Sequence, residues 1–73
     1  MRQVILEALE KRYEAQISEA KANISVFLEN GVGVAEHAGT VETIDGEIAK
    51  LAEAEDKLQA VKRFGPIVPP KVV

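Results

Sequence analysis

The side chains best suited to acid–base or metal chemistry are grouped around the single histidine of the chain. Glu36, His37, Glu42 and Asp45 lie close together in the sequence. An imidazole with carboxylates can move protons or hold a metal, but either task needs further ligands or a cleft that excludes water. The chain has no cysteine and no second histidine. We therefore interpret His37 as a residue near a helix start that helps to satisfy free backbone N–H groups, and expect no enzymatic activity and no metal.

A second candidate for chemistry is the glycine pair Gly31 and Gly33, which resembles part of a phosphate-binding loop. A dinucleotide fingerprint needs a third glycine and a preceding strand, and a P-loop needs a lysine followed by Ser or Thr. The sequence supplies none of these around Gly31. We therefore expect no nucleotide cofactor and no small-molecule substrate.

Size and charge restrict the classes of partner. The chain has 73 residues and a net charge of −3, so it has no general attraction to phosphate backbones. No basic cluster is longer than two residues, as at Lys62 and Arg63. No apolar run approaches the roughly 18 residues of a membrane span, and we expect a soluble protein without nucleic acid or membrane partners. A domain this small, without disulfides, is marginally stable unless it associates with itself or with another protein.

Two long apolar stripes with helical spacing must position these residues. Residues 2–29 contain no glycine or proline and are rich in good helix formers. Their stripe follows the helical repeat and consists of Leu6, Leu9, Tyr13, Ile17, Ala20, Ile24 and Phe27. The second helix is predicted from about residue 38 or 40 to 63, with a stripe of Val41, Ile44, Ile48, Leu51, Ala54, Leu58 and Val61.

The first helix carries more apolar surface than one neighbouring helix can cover. A weaker stripe lies beside the first and consists of Ile5, Ala15, Ala22, Val26 and Leu28. One interpretation is a broad core face. The alternative is that Ile5, Val26 and Leu28 belong to an interface with another chain, because a two-helix hairpin has only one internal seam.

Residues 30–37 form the predicted loop that reverses the chain. Asn30 and Gly31 both tolerate the left-handed conformation that closes a helix, and Gly33 supplies a second turning point. The loop residues singled out are Asn30, Gly31, Val32, Gly33, Val34 and His37. Val32 and Val34 are expected to cap the open end of the seam, with a pocket on a partner as the alternative. The predicted fold is all-α, an antiparallel, coiled-coil-like two-helix hairpin over residues 1–63.

Inside the second helix, Gly46 interrupts a run of helix-forming residues. A glycine at such a position costs roughly 1 kcal/mol relative to alanine. It is either a tolerated defect or a place where another backbone approaches closely.

Residues 64–73 differ from the hairpin in composition. Gly65 and Pro66 end the second helix, and the following prolines favour an extended path. The tail is rich in aliphatic residues, so we predict that it docks, either across the hairpin or onto a neighbour. Its predicted partner-binding residues are Phe64, Pro66, Ile67, Val68, Pro69, Pro70, Val72 and Val73. Pro66 and Pro69 also fit the loose proline pattern read by aromatic-lined grooves.

Several runs resemble a group of small uncharacterised proteins encoded by contractile-tailed phages of marine and cyanobacterial hosts. The similar runs cover about residues 4–62 and lie at residues 6–17, 31–38, 42–45 and 52–58. Members of that group often carry proline after the Glu-His pair, where this chain has Ala38, so the start of the second helix stays open. The resemblance implies a viral, non-enzymatic accessory protein and brings no catalytic residues.

Two functions follow as hypotheses. The first is a small structural or decorating protein of a virion, bound to a shell or tail protein. The second is an accessory protein in the cytoplasm of the infected host, an adaptor or inhibitor that binds a host or phage protein. Both require a protein partner, self-association, or both.

Overall fold

The computed structural model describes residues 1–29 and 39–65, and within them the chain forms two α-helices and no strand. Helix α1 spans Arg2–Glu29 and helix α2 spans Thr40–Lys62. The helices pack along each other and run antiparallel, because Tyr13 meets Lys57 while Asn23 meets Glu47. The predicted all-α helical hairpin is confirmed. The predicted loop at residues 30–37 and the tail from Pro66 onwards lie outside the described residues.

Helix α1 turns its predicted stripe towards α2. All seven residues of that stripe are buried or half-buried, and Leu6 and Ala20 are the most deeply buried. The weaker stripe is different: Ile5, Val26 and Leu28 are all exposed. The seam of this hairpin therefore uses one face of α1 and leaves the second apolar stripe uncovered.

The predicted stripe of α2 is wrong at two positions near the start of the helix. Val41 is 79% exposed and Ile48 is 45% exposed. Thr40 and Glu47, one position earlier in each case, are instead half-buried. Thr40 and Glu47 occupy the seam positions that were predicted for Val41 and Ile48, because the seam follows a strict seven-residue repeat.

That repeat runs through the whole of α2. Thr40, Glu47, Ala54 and Val61 are seven residues apart, and the last two are buried. Ile44, Leu51 and Leu58 form a parallel row of half-buried residues. A seven-residue repeat is the spacing that keeps one seam facing a partner along two coiled helices.

At the end of the hairpin that bears Met1 and Gly65, a side chain joins the two helices. Arg2 donates a hydrogen bond from Nη2 to the backbone oxygen of Phe64, just after the end of α2. A cation in the first turn of α1 is unfavourable for the dipole of that helix, but the same cation lies at the negative end of α2. The antiparallel arrangement thus puts the charge of Arg2 at a position where it stabilises the end of α2.

At the other end, where α1 stops at Glu29 and α2 starts, the second helix begins after a glycine. We call this end the loop end. Gly39 has φ of 99°, and its carbonyl oxygen accepts a hydrogen bond from the Thr43 N–H at 2.8 Å. As the N-cap residue of α2, Gly39 provides no side-chain hydrogen bond to the first turn of the helix. The positive φ is a conformation that glycine adopts without strain, so Gly39 provides the change of direction into α2.

Replacing Gly46 by alanine is expected to raise the free energy of unfolding by about 1 kcal/mol. Apart from its chain neighbours and the backbone of its own helix, no atom of the described residues lies within 4 Å of the position that a Cβ would occupy, so the methyl group meets no obstacle. For a domain of this size the melting temperature should rise by roughly 4–8 °C. Thermal unfolding followed by circular dichroism measures the change. An unchanged or lower melting temperature would contradict the interpretation of Gly46 as a tolerated weak point.

Candidate interaction surfaces

The residues considered for acid–base or metal chemistry are not assembled into a site in the part of the chain that the structure describes. Glu42 and Asp45 are exposed on the first turns of α2, where acidic side chains favour the positive end of the helix dipole. Glu36 and His37 lie outside the described residues. Among the residues that are described, no three acidic or histidine side chains are grouped so that they could hold a metal ion.

Most of the predicted partner-binding residues also lie outside the described residues. These are Pro66, Ile67, Val68, Pro69, Pro70, Val72 and Val73 of the tail, and Asn30, Gly31, Val32, Gly33, Val34 and His37 of the loop. Phe64 is described: its side chain is exposed while its backbone oxygen accepts the hydrogen bond from Arg2. The aromatic ring is therefore available at the end of the hairpin that bears both Arg2 and Gly65.

Exposed apolar side chains are the most conspicuous feature of the hairpin surface. The large ones are Met1, Val4, Ile5, Val26, Leu28, Val41, Ile48 and Phe64. By contrast, the buried residues of the described part are only Leu6, Ala20, Ala54 and Val61. Single exposed apolar residues are normal on protein surfaces, but grouped ones mark contact sites.

The exposed apolar residues fall into regions of the hairpin that follow from its antiparallel order. Leu28 and Val41 are near the loop end, where the last turn of α1 lies beside the first turns of α2. Val4, Ile5 and Val26 belong to α1 alone and lie outside the seam. The helices therefore offer apolar surface both at the loop end and along α1.

A polar groove of about 260 Å³ runs between the helices on one side of the hairpin. Its floor is formed by Ala20 and Ala54, which are 3% and 2% exposed. Its rim carries polar and charged side chains: Gln16, Glu19, Asn23, Glu47, Lys50, Glu53 and Lys57. Because both signs of charge alternate along the rim, the groove presents no field of one sign that would select a charged ligand.

Several rim residues make polar contacts, either within α2 or with α1. Lys57 lies over the ring of Tyr13, with its Nζ 5.8 Å from the ring centre, and pairs with Glu53 at 3.1 Å. A lysine at that distance from an aromatic ring contributes about 0.5–1 kcal/mol when exposed. The contact with Tyr13 joins α2 to α1, whereas the ion pair with Glu53 lies within α2.

Glu47 is the charged residue in the seven-residue repeat of α2. Its side chain is 13% exposed. Its Oε1 accepts a hydrogen bond from Asn23 Nδ2 of α1 at 3.1 Å, and its Oε2 pairs with Lys50 Nζ at 3.1 Å. The hydrogen bond from Asn23, and then that from Lys50, lower the pKa of Glu47 below its ordinary value of 4.5. The carboxylate therefore stays ionised and bonded at neutral pH, which suits holding the helix register rather than donating a proton.

We expect the hairpin to lose stability in acid partly through Glu47. Because the folded-state pKa is lowered, this stabilisation is present above pH 4.5 and is lost as the pH falls through the lower folded-state pKa. Urea unfolding of the parent chain and of Glu47→Gln across this range measures the contribution. The free-energy gap between the two proteins should close in acid. A gap that is independent of pH would contradict this role of the carboxylate.

The spacing of apolar residues in the sequence did not indicate that Glu47 lies in the seam, but the seven-residue repeat of α2 does. Counting back by seven from Val61 and Ala54 reaches Glu47 and then Thr40. Asn23 is the polar residue on α1 that can satisfy a carboxylate at this level. A search for a polar residue in the repeat, with an amide at the matching level of the opposing helix, would have found the pair.

Neither helix of the described residues has an apolar stretch of the length that crossing a membrane requires. Comparison with known proteins gives no match: no family model, no curated protein and no solved structure is similar to the chain. An interaction role must therefore be argued from its own surfaces.

Proposed function

We propose that the chain is a non-enzymatic protein–protein interaction module, and that it serves as a small structural or decorating protein of a tailed-phage virion. The observation that carries the interaction role is the exposure of large apolar side chains on the two helices of the hairpin. A hairpin with few buried residues gains stability when a partner covers this surface.

The loop end is the first surface that we assign to a partner from another protein. Leu28 and Val41 are exposed on helical turns, so their positions are fixed before the partner arrives. Apolar groups held on rigid elements bind with less loss of conformational freedom than groups on a disordered segment. The aliphatic tail, which follows Gly65 in the sequence, supplies a second predicted contact.

The assignment to a virion rests on the resemblance of about residues 4–62 to small proteins of contractile-tailed phages. A small protein with apolar contact surface is suited to attachment at repeated positions on a shell or tail. The alternative, an accessory protein in the infected cell, would use the same surfaces on a host or phage protein.

Quantitative mass spectrometry of purified particles of the encoding phage, compared with lysates of infected cells, separates these functions. Many copies per particle are expected for a structural or decorating protein. Detection in lysates together with absence from particles would overturn the virion role in favour of the intracellular one.

Variants at the loop end test the interaction role itself. We expect Leu28→Lys and Val41→Lys to reduce recovery of the partner in a pull-down by about tenfold or more, because each buries a charge in an apolar contact. Ala52→Lys is the matched control, since Ala52 is also exposed on a helix and lies outside this patch. Unchanged recovery with both loop-end variants would contradict the assignment of this surface.

A further inference from the structure

The side of α1 turned away from α2 carries a regular row of small residues. Met1 and Glu29 end this outer row. Its centre consists of Ala8, Ala15 and Ala22, each two positions after a seam residue and therefore about 200° further round the helix. All three are exposed. Alanines at every seventh position allow another helix to approach closely, since interaxial distance depends on the side chains at the contact.

Beside the outer row runs a flank row with a second pattern. Its members, Ile5, Arg12, Glu19 and Val26, are also spaced by seven and are all exposed. The row has an apolar residue at each end and opposite charges in the middle. Within the described residues, the chain gives neither Arg12 nor Glu19 an ion-pair partner. Glu19 also borders the polar groove, and both side chains are exposed, so each can reach an opposite charge on another molecule.

Both rows are complementary to themselves when reversed. If a second copy of α1 lies antiparallel, Ala15 meets Ala15 and Ala8 meets Ala22. The same reversal brings Ile5 within one residue's rise, about 1.5 Å, of the level of Val26, and brings Arg12 equally close to the level of Glu19. A parallel pair would instead place Arg12 against Arg12 and Glu19 against Glu19, which like charges disfavour.

The corresponding side of α2 does not have this property. The row two positions after the seam residues of α2 consists of Glu42, Ala49, Asp56 and Arg63, all exposed. Reversal would place Glu42 against Arg63, but it would set the carboxylate of Asp56 against the methyl group of Ala49. An apolar contact on that side would cost desolvation of these charges. The self-complementary surface thus belongs to α1.

We propose that two copies of this chain pair through the outer and flank rows of α1, antiparallel about a two-fold axis next to Ala15. The result is a four-helix assembly with the two α1 helices at its centre and the two α2 helices outside. An isologous contact of this kind is the commonest way in which identical chains associate. The inference deepens the proposed function and rests on its interaction-module part, because it names a second copy as one partner.

Charge variants test the pairing on the full chain. Arg12→Glu and Glu19→Arg each turn two attractive contacts into repulsive ones, and we expect each to weaken dimerisation by about tenfold or more. An equimolar mixture of the two variants should restore the dimer as a heterodimer, because the two acidic side chains of one variant then face the two basic side chains of the other. Sedimentation equilibrium measures each dissociation constant, and circular dichroism verifies that the variants stay helical.

The orientation is tested by cross-linking, which the absence of cysteine from the chain makes simple. In an oxidised mixture of Ala8→Cys and Ala22→Cys, the antiparallel pair predicts disulfides mainly between the two different variants. The parallel pair predicts them mainly between like variants. Ala52→Cys, on an exposed position of α2, is the control and should form few.

Three outcomes would overturn the proposal: a monomeric parent chain at high micromolar concentration, charge variants that dimerise as well as the parent, or preferential disulfides between like variants. Each outcome is distinct from failure of the proposed function. A dimer absent from virions would contradict the virion role alone, and a monomer abundant in virions would contradict this inference alone.

Discussion

Replacing Leu6 by alanine is expected to lower the free energy of unfolding by about 2–3 kcal/mol. Leu6 and Val61 are the largest buried side chains of the described residues, and they lie at the same end of the hairpin. Removing the leucine side chain loses its transfer free energy and leaves a cavity that two straight helices can close only in part. A domain of this size has a total stability of about 3–5 kcal/mol, so the variant should be near the limit of folding.

Leu28→Ala is the matched control for this prediction. It makes the same chemical change on the same helix, but at an exposed position, and should change the free energy by less than about 0.5 kcal/mol. Urea unfolding at one fixed protein concentration measures both variants, because self-association would otherwise alter the comparison. Equal losses from the two substitutions would show that the seam does not dominate the stability of the hairpin.

Replacing Ala54 by leucine is expected to destabilise the hairpin by about 1–3 kcal/mol through overpacking. Ala54 and Ala20 are the two most deeply buried residues of the described part and together form the floor of the polar groove. A leucine at this level must either push the helices apart or extend its apolar side chain into the polar groove between the charged rim residues. Separation of the helices would also lengthen the Asn23–Glu47 hydrogen bond and weaken the contact of Lys57 with Tyr13.

The control is Ala52→Leu, two residues away on the same helix and exposed. It should leave the free energy of unfolding within about 0.5 kcal/mol of the parent. Thermal and urea unfolding compare the pair. A stabilising effect of Ala54→Leu would mean that space exists where the seam is closest, and would refute the close approach at the paired alanines.

The fold class could be predicted from the sequence because the hairpin is built from local signals. A glycine-free run with regular apolar spacing is sufficient to indicate α1. In α2 the same reasoning gave the correct helix and the wrong seam at two positions. Counting apolar residues placed Val41 and Ile48 inside, although the seven-residue repeat places Thr40 and Glu47 there.

The reason for this error is that a half-buried carboxylate depends on the opposing helix. Glu47 is acceptable in the seam because Asn23 donates to one oxygen and Lys50 pairs with the other. The bond from Asn23 cannot be inferred from α2 alone, since Asn23 reaches the carboxylate only after the chain has reversed. Apolar periodicity gives the elements, and cross-helix pairing decides which side of each element is covered.

The weaker apolar stripe of α1 had two interpretations, a broad core face and an interface with another chain. The exposure of Ile5, Val26 and Leu28 shows that the broad core face is wrong at these positions, and the interface stays a prediction. The pairing of Arg12 with Glu19 in an antiparallel dimer was not apparent from the sequence, because it can be recognised only when the side of α1 that faces away from α2 is known. Composition alone could not identify a partner from another protein.

The bond from Arg2 to Phe64 brings the start of α1 and the end of α2 to one pole of the molecule. Met1 and Gly65 therefore lie together, while Glu29 and Gly39 lie at the opposite pole. An affinity tag fused before Met1 would thus lie close to Gly65, the residue after which the predicted docking tail follows in the sequence. Fluorescent labels placed at Met1 and Gly65 should report a short separation that increases sharply when the helices part, giving a direct optical readout of unfolding.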